Sequence, residues 1–409
     1  MSKKLEAYYG LPSEVKFCKQ CVMSNQRPRS YPEFRHTTDR KCPTLPIDDD
    51  GVCHGCKVYV NKDLIAWEER EKLLLQLLDK YRRNDGYYDC VVPGSGGKDS
   101  VFAAWLLKYK YGMHPLTVTW PPTVYTSYGY QNYLRWIDEG GFDNLTIRPN
   151  GRVHRLLTRL SIENLLHPFQ SFILGQKNLA AQVAMKYGIK LIFFGEHEAE
   201  VGGNDIADTF SPLRDKAFFT KEDLEGLYLG GVSLKELQER HGLSLADLYQ
   251  YLPPDYSELE ASGIQCHYLG YYVRWIPQEA YYFAVEKTGF QARPFRTEGT
   301  YSKYSSIDDK IDDLHYYTTY IKFGIGRATD DASQEIRNKH LTREEGVALV
   351  KQYDGEVPHR YLKDCLDYVG LSVDWFFDHC DKFRSPHLWA KVDGEWRLRH
   401  TVWGGGVDD

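Results

Sequence analysis

Between residues 63 and 194 the spacing of apolar positions switches repeatedly between a helical and a strand-like period. Trp67, Leu74, Leu78 and Tyr81 fall on one face of a helix predicted over Asp63–Arg83. Short apolar runs then predict strands at Tyr88–Val92, Pro115–Trp120, Asn144–Arg148 and Lys190–Phe194. Helical spacing fills the intervals, over Asp99–Tyr111, Tyr128–Asp138, Val153–Leu165 and Ser171–Tyr187. Strands alternating with helices imply an α/β fold, a parallel sheet covered on both faces. Before this stretch, Pro28, Pro32, Pro43 and Pro46 keep residues 1–60 irregular. After about Gly202 the strands thin out, and helices are expected at Ser233–His241, Gln278–Lys287, Asp309–Phe323, Arg343–Tyr353 and Val373–Phe383. The expected organisation is an N-terminal module over residues 1–62, an α/β domain over 63–205 and a mainly helical region over 206–409.

Charge and composition narrow the class of protein. The chain has 409 residues, enough for two or three cores, and a charged fraction of 26% typical of a globular protein. A net charge of −6 argues against a protein that lives on nucleic acid. No apolar run approaches the roughly 20 residues that span a bilayer, and the first residues lack the apolar core of a signal peptide. A soluble, cytoplasmic protein is expected.

One loop carries the chemistry. Asp89–Val92 leads through Pro93 and Gly94 into Ser95-Gly96-Gly97-Lys98-Asp99-Ser100, a strand, a glycine-rich turn and a helix start. Glycines let backbone N–H groups approach a ligand, and the helix start adds unpaired donors and a positive dipole end. Lys98 adds a full charge, Ser95 and Ser100 add hydroxyls, and the whole suits a pyrophosphate. It is not a Walker A loop, because Val92 stands where that motif needs its first glycine. The string instead resembles the PP-loop of the ATP pyrophosphatase superfamily, whose members split ATP between the α- and β-phosphates. If the strand order is 3-2-1-4-5, the strand ending at Phe194 lies beside the first. Gly195 and Glu196 then face the loop, where a carboxylate could hold Mg²⁺ or orient an acceptor; the other reading is a solvated acidic loop. Thr119 and Trp120 close the second strand near the expected adenine, though Trp120 suits a core equally well.

Five of the nine cysteines crowd the first 56 residues. Cys18-x-x-Cys21 and Cys53-x-x-Cys56 have the paired spacing of a closed, structural Zn²⁺ site, which would explain how a segment without hydrophobic periodicity folds; iron–sulfur or redox use is the other reading of this ligand set. Cys42 and His36 are spare donors that could replace one ligand.

These phrases, with Glu298-Gly299-Thr300-Tyr301-Ser302-Lys303-Tyr304 and Lys322-Phe323-Gly324-Ile325-Gly326-Arg327-Ala328-Thr329 downstream, resemble the WbpG-like N-acetyl sugar amidotransferases of bacterial surface-polysaccharide synthesis. The resemblance runs from about Cys18 to Val402. It implies conversion of an acetamido group on a nucleotide-linked sugar into an acetamidino group, with ATP consumed to AMP and pyrophosphate. It also implies ammonia from a partner glutaminase pair, since Ser2 follows Met1 and no cysteine here has a glutaminase context. On this reading the loop residues hold pyrophosphate, with Lys98, Asp99 and Glu196 at the reacting centre. Lys322 and Arg327 neutralise phosphate charge, or else are solvated helix-end charges, and Ser302, Lys303 and Tyr304 contact the sugar or its diphosphate. Two rivals are a PP-loop tRNA sulfurtransferase, which would need a sulfur-carrying cysteine and a basic RNA surface, and a non-catalytic zinc-containing scaffold.

Overall fold

The computed structural model describes residues 5–28, 33–36, 41–197, 209–215 and 226–408. The expected domain boundary at 205/206 lies outside the described residues. At the centre is a five-stranded sheet of β1 (Cys90–Pro93), β2 (Pro115–Thr119), β3 (Asn144–Thr146), β4 (Leu191–Phe194) and β5 (Gln265–Tyr268). All pairings are parallel and the order is 3-2-1-4-5. Val91 is opposite Leu116 on one side and Ile192 on the other, so β1 is fully interior. Strands covered on both faces must be apolar throughout, as Cys90-Val91-Val92 and Leu191-Ile192-Phe193 are.

Side chains alternate between two cores. Val91, Leu116, Val118 and Ile192 join Leu157, Leu174, Ala180 and Ala184 from α5 (Gly151–Leu165) and α6 (Gln170–Tyr187). Cys90, Val92, Leu191 and Phe193 face the other way, onto Leu74 and Leu78 of α2 (Trp67–Tyr81) and Val101 and Ala104 of α3 (Lys98–Trp105). Trp136 of α4 (Ser127–Asp138) completes that layer. The short helix α1 (His54–Lys62) ends the N-terminal module, and α7 (Leu234–His241) and α8 (Pro277–Thr288) precede the C-terminal helices.

The fifth strand that the order 3-2-1-4-5 requires has no place assigned by the sequence patterns. It is four residues long and draws on sequence far beyond residue 205, so the sheet continues into the stretch expected to be helical. Beyond it, α9 (Ile311–Phe323) packs Ile311, Leu314 and Ile321 on Leu362, Leu366 and Phe376, and on Ile162 of α5. Helix α10 (Arg327–Arg337) follows. The N-terminal module docks on this C-terminal region, its Cys18, Cys21, Leu45 and Cys53 packing with Phe323, Ile325, Leu388 and Trp389. Among the described residues, no helix is long and apolar enough to cross a membrane.

Candidate active site

The glycine-rich turn sits at the carboxyl ends of β1 and β4, where the strand order reverses. Backbone conformation dictates its glycines. Gly96 has φ +86°, and a Cβ there would lie 2.7 Å from Tyr133 Cα and 2.9 Å from the Asn132 carbonyl oxygen. Gly97 is the N-cap of α3 and offers no side chain, so the first-turn N–H groups lack a capping partner. The first amide with an acceptor inside the helix is Val101, donating to Gly97 O at 3.0 Å. Such an open helix start favours an anion.

The turn forms one wall of a cavity of about 270 Å³. Ser95, Gly96, Gly97, Lys98, Asp99 and Glu196 line it from the sheet side, and Asn132 from α4. Tyr304, Ser305, Ser306, Ile307, Asp308 and Arg327 close it from the C-terminal region. The two sides are bonded through Ser95 Oγ, which donates to Asp308 Oδ2 at 2.8 Å, and within the loop side Lys98 Nζ meets Asp99 Oδ2 at 2.5 Å. Trp275 Nε1 donates to Asp99 Oδ1 at 3.0 Å, fixing that carboxylate. Burial raises the Glu196 carboxyl to about 7, and the Asp99 charge adds to the rise while Lys98 opposes it. Gly195 is needed beside it, because a Cβ there would lie 2.7 Å from the Asp99 carbonyl oxygen.

The structure thus brings together Ser95, Gly96, Gly97, Lys98, Asp99, Glu196, Tyr304 and Arg327. Arg327 opens α10, with Nε donating to Asp331 Oδ1 at 2.8 Å and Nη1 reaching the Tyr316 hydroxyl at 3.4 Å. Other expected residues lie off the cavity lining. Ser100 turns its hydroxyl back to Gly97 O at 2.8 Å. Thr119 is buried, accepting from Asn144 Nδ2 at 3.0 Å. Ser302 Oγ accepts from the amides of Tyr304 and Ser305, holding the turn that presents Tyr304, and Lys303 supplies a carbonyl to the Arg293 amide.

Lys322 requires a correction. It is neither in the cavity lining nor in solvent. Its ammonium is buried and donates to both oxygens of Glu33 at 2.6 Å and to Leu165 O at 2.8 Å. A charge so committed cannot also serve a ligand.

Asp308 and Trp275 belong to the site without having been expected. Each is distant in sequence from the loop it touches, so no local pattern announces them.

Cys18, Cys21, Cys53 and Cys56 converge in the N-terminal module, all buried, with their sulfurs within 4.8 Å of one another. Cys18 and Cys56 sulfurs are 3.9 Å apart, and those of Cys21 and Cys53 3.7 Å. A tetrahedral ion with bonds of about 2.3 Å places its sulfurs about 3.8 Å apart. The four thiols fit one metal ion, and neither His36 nor Cys42 joins the cluster: the His36 ring pairs with Glu33. The remaining thiols at Cys90, Cys266, Cys365 and Cys380 are buried, and burial pushes the Cys266 and Cys380 thiols up to about 12.

Residues 298–402 match the model of the LPS biosynthesis protein WbpG-like C-terminal domain. An uncharacterized protein of Methanocaldococcus jannaschii is 32% identical over 83 residues, which is 20% of this chain and 29% of that relative. The chain therefore spans under a third of that relative's length. Among solved structures, the NMN synthetase of Francisella tularensis aligns with 61% of this chain and 93% of its own, at 19% identity and a TM-score of 0.26. The U34-tRNA thiolase NcsA of Methanococcus maripaludis, determined with its [4Fe-4S] cluster, aligns with 83% of this chain and 87% of its own, at 12% identity and a TM-score of 0.31. The fold assignment rests on the strand order and the loop at its switch point. Residues 298–402 are thus similar to a WbpG-like C-terminal domain, and residues 304–308 within them face, across one cavity, a loop at the switch point of the sheet whose sequence resembles a PP-loop.

Proposed function

We propose that this protein is an ATP-dependent amidotransferase of bacterial lipopolysaccharide (O-antigen) synthesis, converting an N-acetyl group of a nucleotide-linked sugar into an acetamidino group. The observation that supports this reading best is the composite cavity. A pyrophosphate-type loop forms one wall, and the WbpG-like segment, through Tyr304, Asp308 and Arg327, forms the other. ATP held by the loop would present its α-phosphorus to an acceptor bound against the opposite wall.

An amide carbonyl is a poor electrophile, and its oxygen leaves badly. Transfer of AMP from ATP to that oxygen expels pyrophosphate and turns the oxygen into a leaving group. Ammonia then adds to the carbon, AMP departs with the oxygen, and C=NH replaces C=O. In this scheme the amides of the α3 first turn and Lys98 hold the β- and γ-phosphates, and Arg327 offsets charge developing on the α-phosphoryl group. Asp308 keeps the Ser95 hydroxyl turned to the C-terminal wall. Glu196 and Asp99 are the carboxylates that would hold Mg²⁺, which when bound supplies positive charge between the phosphates. The four cysteines would hold a structural Zn²⁺. Ammonia would come from a partner glutaminase pair.

Sulfur transfer to RNA finds no support in Cys90, Cys266, Cys365 and Cys380, which are buried, with burial raising the Cys266 and Cys380 thiols to about 12. The decisive assay measures pyrophosphate release with a UDP-linked diacetamido sugar plus ammonium, set beside tRNA plus sulfide. Pyrophosphate and AMP with the sugar, abolished in Lys98→Ala while the fold and metal content persist, are expected. ADP as product, or full turnover in that variant, would sink the proposal.

A further inference from the structure

Helix α10 joins the two chemically distinctive places in the molecule. Its first residue, Arg327, lines the cavity, and its last, Arg337, touches the cysteine cluster. Arg337 Nη2 lies 3.8 Å from Cys21 Sγ and 3.6 Å from Cys53 Sγ. The guanidinium fits so closely over the cluster loop that a Cβ on Gly55 would lie 2.5 Å from Nη2. Eleven residues of α-helix span about 16 Å, and hydrogen bonds along the axis make the helix stiff over that length.

The N-terminal half of the helix is fastened to its surroundings. Asp330 accepts from Arg27 of the N-terminal module at 2.9 Å. Asp331 accepts from Arg327 at 2.8 Å and from Thr300 Oγ1 at 2.6 Å, so it holds the cavity arginine in place. The buried face consists of Ala328, Thr329, Ala332 and Ser333. Side chains this small allow close packing, and Thr329 Oγ1 donates to Asp354 Oδ2 at 2.5 Å, which ties the first turn to the neighbouring helix end.

Four thiolates around one divalent ion carry a net charge of about −2. Two N–H···S contacts from a guanidinium answer part of that charge, and an ion that gathers the four sulfurs fixes the surface on which the guanidinium sits.

We infer that the metal-loaded cysteine centre positions Arg327 in the cavity, acting through Arg337 and α10, so that metal occupancy and nucleoside triphosphate binding are energetically coupled. Arg337 is a positioning residue in this arrangement. The inference rests on the proposal that the cavity binds ATP.

Linkage makes the coupling reciprocal: if the metal tightens nucleotide binding by some factor, nucleotide tightens metal binding by the same factor. The test uses full-length protein loaded with Zn²⁺ and a chromogenic chelator as competitor, with and without Mg²⁺-ATP, no sugar being present. The expected result is that ATP tightens zinc binding by about 5-fold or more. Calorimetry on zinc-loaded Arg337→Met should show ATP bound weaker by a similar factor, with zinc content unchanged, and Arg337→Lys should recover part of the loss. Gly55→Ala, which pushes the guanidinium off the sulfurs without deleting it, serves if Arg337→Met fails to fold. Equal zinc affinity with and without bound ATP overturns the inference, as does an unchanged ATP affinity in zinc-loaded Arg337→Met. Failure of the wild-type protein to bind ATP at all is a different result, which refutes the proposed function and this coupling with it.

Discussion

Replacing Lys322 with Met separates a structural charge from a catalytic one. The ammonium is 1% exposed and sits between the two oxygens of Glu33 and the Leu165 carbonyl. Burial alone would raise the Glu33 carboxyl, but the Lys322 charge, with help from His36, holds it well below the usual carboxylate range. Removing the lysine leaves that carboxylate without its main counter-charge, with His36 its remaining hydrogen-bond partner. Breaking one side of such a pair costs about 3–5 kcal/mol, whereas replacing both partners by apolar or neutral groups costs far less. Lys322→Met should therefore lose about 3–5 kcal/mol in urea denaturation, and Lys322→Met combined with Glu33→Gln should recover at least about 2 kcal/mol of it. Glu33 also sets a pH dependence. Its folded value is depressed, so its contribution is present above the unfolded value and is lost as pH falls toward the folded one. The stability gap between wild type and Glu33→Gln should thus narrow below about pH 4. Nucleotide affinity measured on folded Lys322→Met should equal that of the wild type. A variant of unchanged stability that has lost ATP binding would refute this reasoning and return Lys322 to the phosphates.

Gly96→Ala should destabilise the fold by about 2–4 kcal/mol, from a left-handed residue plus a clash with the α4 backbone, and weaken nucleotide binding; urea denaturation and calorimetry report the two effects. Glu196, raised to about 7, costs the folded state stability as pH climbs from its unfolded value toward 7, so Glu196→Gln should gain on the wild type between pH 5 and pH 8 in thermal melts. If that carboxylate takes up Mg²⁺, Mg²⁺-ATP binding near pH 7 should release roughly half a proton, read from calorimetry in buffers of different ionisation enthalpy. Stripping the metal with a chelator should expose the N-terminal module to limited proteolysis while the sheet core stays protected, because Cys18, Cys21, Cys53 and Cys56 are themselves part of that module's buried core.

What the sequence made legible follows from the range over which each signal acts. The four strands expected between residues 88 and 194 are all present; β1, β2 and β4 are rich in apolar residues and buried along almost all of their length, whereas β3 lies half-exposed at the sheet edge. The loop was legible because Ser95–Ser100 states its backbone demands locally, and Gly96 at φ +86° meets one of them. The paired cysteines were legible because a tetrahedral site close to a turn constrains spacing. Strand β5 escaped notice because Gln265-Cys266-His267-Tyr268 has no apolar run; its strand character comes from lying against β4. Helix α10 escaped because the face it buries is Ala328, Thr329, Ala332 and Ser333, small residues that leave no hydrophobic stripe.

Lys322 and Arg327 show why a motif cannot assign roles to its own charges. Both stand in one short phrase, Lys322-Phe323-Gly324-Ile325-Gly326-Arg327, and both are cations at helix ends. Gly324, in the left-handed conformation at φ +67°, ends α9, and the chain turns before α10 begins. That turn sends the two side chains to different places: Lys322 inward to Glu33, and Arg327 to the cavity at the glycine-rich loop. The turn itself is written in the glycines, but the partners are not. Glu33 is 289 residues away from Lys322, and Ser95 is 213 residues from the Asp308 it bonds. A site assembled from two regions of the chain is specified by such distant pairs, so the chemistry of the loop could be read from its own residues while the wall facing it could not.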